Sequence, residues 1–208
     1  MHNIIVIGAV HSTAETIKSL VEHGLNPKGI LGFQPEDRTN VSGWSDLEFI
    51  AKAHDIPFKS FQKINESELL EWVKEFNPDI IFAVGFSQLL KKDWLEMPTL
   101  GCIGFHPTKL PKGRGRAPIA WLILNEKEGA STFFLMGEGA DDGPIFIQKT
   151  FSINKDDDAR LVEQKILTSL KQALDEWLPK LKNGEWNPIP QDEAQATWYG
   201  KRTPEDGI

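Results

Sequence analysis

Two apolar runs constrain this chain more than anything else in it: IIVIG at Ile4–Gly8, and PDIIFAVGF ending at Phe86. Neither alternates polar with apolar residues. Each therefore reads as a strand buried on both faces, and such strands belong to parallel sheets covered on either side. Gly29–Phe33, Pro57–Phe61 and Leu100–Phe105 read as further strands. Helical patterns lie between them. AVHSTAETIKSLVEHG predicts a helix capped by Ser12 or Thr13, with Gly24 after its last turn. Asp46–His54 predicts a second, and ESELLEWVKEF a third with Leu69, Leu70, Val73 and Phe76 on one face. Residues 35–45 are polar and turn-rich, and read as a long loop. Strand alternating with helix predicts an α/β fold, Rossmann-like, with a mostly parallel sheet and helices on both faces.

The second half reads differently. Ala117–Leu124 predicts a helix, and Ser131–Met136 and Ile145–Ile153 predict strands separated by GEGADDG. A long helix follows over Asp158–Leu181, with Leu161, Ile166, Leu170, Leu174, Trp177 and Leu178 facing inward. An apolar helix in this half leaves a homodimer open. The tail, NPIPQDEAQATWYGKRTPEDGI, is rich in Pro, Gly and charge. It reads as a short irregular extension that packs through Trp198 and Tyr199. The expected organisation is a catalytic domain over 1–185 and an extension over 186–208 near the substrate site.

Composition removes several functions. A net charge of −7 argues against a protein that neutralises many phosphates, so nucleic acid is not an expected partner. It leaves room for a small anion held by a local basic cluster. Cys102 is the only cysteine, so no intrachain disulfide can form. No apolar run reaches the ~18 residues of a membrane span, and MHNIIVIGAV has no signal-peptide pattern; a cytoplasmic protein is expected. The carboxylates of NKDDDARL suit a helix start, no spacing suits zinc, and no metal is expected. GAVHST is not G-x-G-x-x-G, so a dinucleotide is not expected either.

Ligands of open parallel sheets bind beyond the carboxyl ends of the strands. Three loops are expected at that edge: GFSQLL, HPTKLPKGRGR and GEGADDG. His106 stands one residue past a predicted strand, beside Pro107 and Pro111, which stiffen the backbone. Asp141 lies in a loop expected to approach it. A carboxylate beside an imidazole fixes its tautomer, and the pair can move a proton at neutral pH. Lys109, Lys112, Arg114 and Arg116 read either as a solvated basic loop or as a cradle for phosphate or carboxylate, for which Arg offers a bidentate fork. His11 stands in the first strand-end loop.

With these residues in view, the chain resembles the 10-formyltetrahydrofolate-dependent formyltransferases over nearly its whole length. HPTKLPKGRGRAPIAW resembles the family's N-x-H-x-S-L-L-P-x-x-R-G signature, GEGADDGPIFIQ carries its D-x-G, and QDEAQATWYGKRTPEDG matches its tail. The forms RGRAP and GKRTPEDG look most like sugar-nucleotide N-formyltransferases, such as those acting on 4-amino sugars for bacterial surface glycans. The resemblance implies a formyl group moved from 10-formyltetrahydrofolate to the primary amine of a UDP- or dTDP-linked amino sugar. It implies His106 and Asp141 as catalytic residues. It places Gln88, Leu89, Leu90, Arg116 and the backbone of Gly137, Glu138, Gly139, Ala140 and Asp141 around the folate. Thr108, Lys109, Lys112, Arg114 and Tyr199 would serve the acceptor. One departure stands out: Gly104 occupies the position of the family's asparagine, which holds the formyl oxygen as it becomes negative. Losing one such donor typically costs on the order of 10²–10³ in rate. Thr108 keeps the hydroxyl of the family's serine, and Lys109 replaces a leucine. The chain ends at EDGI, without the C-terminal domain of the methionyl-tRNA enzymes, so tRNA is not the expected substrate. Glycinamide ribonucleotide formylation, hydrolysis of formylfolate, and a non-catalytic folate- or nucleotide-binding protein are the alternatives.

Overall fold

The computed structural model describes residues 2–37, 41–125 and 128–203. The end of the tail motif, PEDG, and part of the 35–45 loop lie outside them. The chain forms two compact units, one comprising the residues up to Gly104 with Leu174–Trp186, the other Phe105–Ala173 with the residues from Asn187 onward.

In the first unit, strands β1 (Ile4–Gly8), β2 (Gly29–Phe33), β3 (Phe58–Phe61), β4 (Ile80–Val84) and β5 (Gly101–His106) run in the order β3-β2-β1-β4-β5. Every pairing among them is parallel. Every residue of β1 and β4 is buried, as expected of strands covered on both faces. Side chains such as Ile4, Ile5, Val6 and Ile7 each contribute roughly 1.5–3 kcal/mol on burial. The chain builds outward from β1 through β2 to β3, then returns to the other side of β1 for β4. The switch point therefore lies between β1 and β4, the place where open α/β sheets leave a crevice.

Helices α1 (His11–Glu22), α2 (Leu47–Ala53), α3 (Ser67–Lys74) and the short α4 (Lys92–Leu95) complete this unit, with the end of the later long helix. Helix α4 has no signal in the apolar pattern. Asp46 caps α2 by accepting from the Phe49 N–H at 3.0 Å. The cap of α1 differs from expectation. Val10, not Ser12 or Thr13, takes the capping position, and Thr13 reaches back from the first turn. Its Oγ1 accepts from the Ala9 and Val10 N–H groups at 3.1 and 3.3 Å and donates to the Val84 carbonyl at 2.6 Å. One hydroxyl thus joins β1, α1 and β4 at the switch point. This closeness needs Gly8: a Cβ there would stand 2.2 Å from Thr13 Oγ1 and 2.3 Å from the Val84 oxygen. Gly8→Ala is expected to destabilise the protein by about 1–3 kcal/mol, the usual cost of overpacking, read as a lower urea midpoint with an unchanged slope.

In the second unit, β7 (Glu128–Leu135) and β8 (Ile145–Ser152) form an antiparallel hairpin with a register shift at Phe133/Phe134. Helix α5 (Pro118–Asn125) and the start of α6 (Ala159–Lys182) close a small core of Leu122, Ile153, Val162 and Ile166, against which Phe105, Ile119 and Phe151 pack. The tail is not wholly irregular. Ile189 bridges to Ile145 through reciprocal backbone hydrogen bonds of 2.8 Å. Trp198–Tyr199 forms strand β9, which pairs in parallel with β6 (Arg114–Gly115). Among the described residues, no helix is long and apolar enough to cross a membrane.

Candidate functional site

His106 is the last residue of β5, not one beyond it, and is buried at 6% exposure. His106 belongs to the second unit, and the loop that follows folds back to hold its imidazole. Nε2 lies 2.8 Å from the Gly113 carbonyl. A carbonyl oxygen only accepts, so Nε2 carries a proton and donates it there. Nδ1 faces Asp141 Oδ2 at 3.5 Å. The residues His106 and Asp141, far apart in sequence, are thus brought together. Nδ1 is the nitrogen whose proton can come and go, beside a carboxylate that steadies it when present.

The loop is pinned from within. Thr108 is buried, and its hydroxyl also donates to the Gly113 carbonyl at 3.3 Å. Its own carbonyl accepts from Thr132 Oγ1 at 2.7 Å, and Gln148 Nε2 donates to Leu110 O at 3.1 Å. Gly113 has φ +73, and a Cβ there would meet the Tyr199 ring at 2.6 Å. Glycine lets the backbone turn left-handed there while Tyr199 lies against it.

Asp141 itself is left-handed, with φ 54. Its Oδ2 accepts from the Gly115 N–H at 2.8 Å. Residues Gly137, Glu138, Gly139 and Ala140 form an exposed run before it. Among the described residues no hydrogen bond engages their backbone. Such a run of free N–H and C=O groups suits the edge of a polar heterocycle, as a folate would require.

Of the expected basic cradle, Arg114 is corrected. It is 1% exposed, not solvated. Nε and NH2 donate to Gln191 Oε1 at 3.2 and 2.8 Å, and NH1 and NH2 to the Glu193 carboxylate at 2.9 and 2.6 Å. The Trp198 ring lies 5.5 Å from its guanidinium carbon. The hydrogen bonds to Glu193 raise the Arg114 pKa, and those from Arg114 hold the Glu193 carboxyl below the usual carboxylate range. Arg114 is an internal fastener between loop and tail. Lys109 pairs with Glu128 at 2.6 Å. Lys112 and Arg116 are exposed.

A cleft of about 390 Å³ opens beside the loop. Thr108, Lys109, Lys112 and Tyr199 line it with Gln148 and Gln195, and Arg114 does not. Tyr199 stacks on Trp121, with centroids 5.4 Å apart and planes 17° from parallel, so one face of its ring is already covered.

The remaining expected residues lie in the first unit. Gln88 spends its amide on that unit's backbone: Oε1 accepts from Ile64 N–H at 2.9 Å and Nε2 donates to Gln62 O at 2.6 Å. Leu89 is 78% exposed and Leu90 is buried. Gly104 sits within β5, registered with Ala83, and offers no side-chain donor. His11 begins α1 and is exposed. Sequence reasoning missed the Gly113 carbonyl, Gln191, Glu193 and Thr197. The only signal for the last three was the tail run QDEAQAT, which matched the family without indicating what it grips.

Comparison with known proteins gives the family. The formyl transferase family profile matches residues 2–178. A methionyl-tRNA formyltransferase of Kosmotoga olearia is 36% identical over 208 residues, covering 99% of this chain and 67% of that protein. The chain spans about two thirds of the length of the curated relatives it matches. Among solved structures, phosphoribosylglycinamide formyltransferase from Anaplasma phagocytophilum superposes with a TM-score of 0.76 at 16% identity, over 96% of this chain and 99% of that one. The N-formyltransferase from Helicobacter canadensis, solved with folinic acid and dTDP-3-aminofucose, gives 0.71 at 17% identity, over 96% of this chain and 71% of that one. With a family match across most of its length and a relative 36% identical over 208 residues, this chain belongs to the formyl transferase family, whose formyl donor is 10-formyltetrahydrofolate.

Proposed function

We propose that the chain transfers a formyl group from 10-formyltetrahydrofolate to the primary amine of an amino sugar nucleotide. The observation that carries the chemistry is the His106–Asp141 pair, with Nε2 committed to Gly113 and Nδ1 turned to the carboxylate. The acceptor amine attacks the formyl carbon, and the carbonyl π electrons move to oxygen. Collapse of the tetrahedral adduct breaks the bond to N10. The amine gives up one proton and N10 gains one. His106 carries that proton at Nδ1, with Asp141 stabilising the imidazolium. Gly104 supplies no side-chain donor to the developing oxyanion, so the site relies on the nearby positive charge of the imidazolium.

Three features support a small acceptor: the net charge of −7, the size of the cleft, and Lys109, Lys112 and Tyr199 on its wall. The dTDP-3-aminofucose of the Helicobacter canadensis enzyme is of the same class. A second reading, methionyl-tRNA as acceptor, is favoured by the names of the curated relatives. One experiment separates them. The protein is incubated with 10-formyltetrahydrofolate and, in parallel, UDP- and dTDP-linked amino sugars, glycinamide ribonucleotide, methionyl-tRNA, or no acceptor. Products are read by mass spectrometry. Formylation of an amino sugar nucleotide alone is expected. Formyl-methionyl-tRNA would replace this reading with the second, and donor consumption without acceptor would identify a hydrolase.

A further inference from the structure

The tail residue Gln191 has a place in the site that its sequence position does not suggest. Its side-chain amide is used completely. Nε2 donates to the main-chain carbonyls of Asp141 and Gly143, at 2.8 and 2.7 Å. Oε1 accepts both bonds from Arg114. The amide has one workable orientation: turned over, its oxygen would face two carbonyl oxygens and its NH₂ a guanidinium. Arg114, being buried, fixes that orientation.

The contacts close a ring. From the Asp141 carbonyl the path runs through Gln191 to the Arg114 side chain. It crosses one peptide to Gly115, whose N–H returns to Asp141 Oδ2. The ring grips Asp141 at its main chain and at its carboxylate. Between those grips lies the left-handed φ of 54, a conformation that costs a non-glycine residue about 1–3 kcal/mol and persists only where its surroundings over-determine it. The orientation of Oδ2 toward His106 Nδ1 depends on that backbone.

We propose that Gln191 is a positioning residue for the transfer reaction: it holds the Asp141 main chain in its left-handed turn, so that the carboxylate meets the imidazole. It touches no reacting atom and acts through Asp141. This rests on the formyl-transfer reading above.

Gln191→Glu tests it. The carboxylate still accepts from Arg114 but cannot donate to the Asp141 and Gly143 carbonyls. Misplacing a catalytic group by 1 Å can cost ~10²-fold, and a fall in kcat of roughly tenfold or more is expected, with KM for donor and acceptor within about twofold. The Gly115 amide proton, hydrogen-bonded to Asp141 Oδ2, is expected to move upfield in the NMR spectrum. Glu193→Gln is the control: it removes the charged partner of Arg114 but leaves the Gln191 amide on the Asp141 carbonyl, so kcat stays within about twofold and the Gly115 resonance stays in place. If Gln191→Glu does not fold, Gln191→Met removes the same donors without burying a charge and is read identically. Unchanged kcat with an unchanged Gly115 amide in the variant that folds would overturn the proposal. So would equal effects of Gln191→Glu and Glu193→Gln, which would mark a purely structural clasp. If the wild-type protein formylates no amine, the functional reading fails, while the Gly115 amide still decides whether Gln191 holds Asp141.

Discussion

His106→Ala is expected to lower kcat by at least ~10², the usual size of an acid–base contribution, with the fold preserved as read by circular dichroism. Asp141→Asn should cost a similar factor. Its amide oxygen can still accept from the Gly115 N–H, so the turn remains. That same atom faces Nδ1, but without a charge it no longer stabilises the imidazolium. The two residues act as one device, so the double variant should be little slower than either single one. Single-turnover rates at saturating donor and acceptor measure this directly. Near-normal rates in both single variants would remove the mechanism. With no side chain at Gly104 to serve the oxyanion, these effects should be as large as the reaction allows.

Arg114→Ala is expected to destabilise the protein by about 1–3 kcal/mol, the usual cost of leaving a hydrogen-bonding partner unsatisfied. It empties a site that is 1% exposed, strands Gln191 Oε1 and releases Glu193 and Trp198. Urea unfolding gives the magnitude. Limited proteolysis shows where the loss falls, with cleavage expected first between Asn187 and Tyr199. Arg114→Lys should not rescue it, because an ammonium cannot serve Gln191 and Glu193 together as the planar fork does. The same contact has a pH dependence. Arg114 lowers the Glu193 pKa in the folded protein. Its contribution is therefore complete above the ordinary glutamate range and is lost as pH falls through the depressed value. Acid should loosen the tail before it unfolds the sheet, and Glu193→Gln should flatten that part of the profile.

The sheet was legible in the sequence because β1 and β4 are unbroken apolar runs, and nothing else buries a strand on both sides. The His106–Asp141 pairing was legible because both residues were expected at the carboxyl edge of the sheet, and the family motifs picked out the same two. Other features left no local trace. Strand β9 has two residues, too few for any period to emerge. Arg114 read as either solvated or part of an anion cradle because it stands among Gly, Pro and Lys, and its partners lie 77 and 79 residues downstream. Thr13 read as a cap and proved to be the residue reaching back to one, because its oxygen answers to Val84 across the sheet.

The pairing of β6 with β9 has a consequence for synthesis. Arg114 N–H donates to Thr197 O and Arg116 N–H to Tyr199 O, while Gly113 N–H donates to the Thr197 hydroxyl. A nascent polypeptide lacks these acceptors until residues 197–199 have been added. The first unit draws on nothing beyond Trp186, whereas the carbonyl tether of His106 settles only once those later residues are in place. Catalytic competence therefore waits on a segment roughly eighty residues downstream of the histidine's loop.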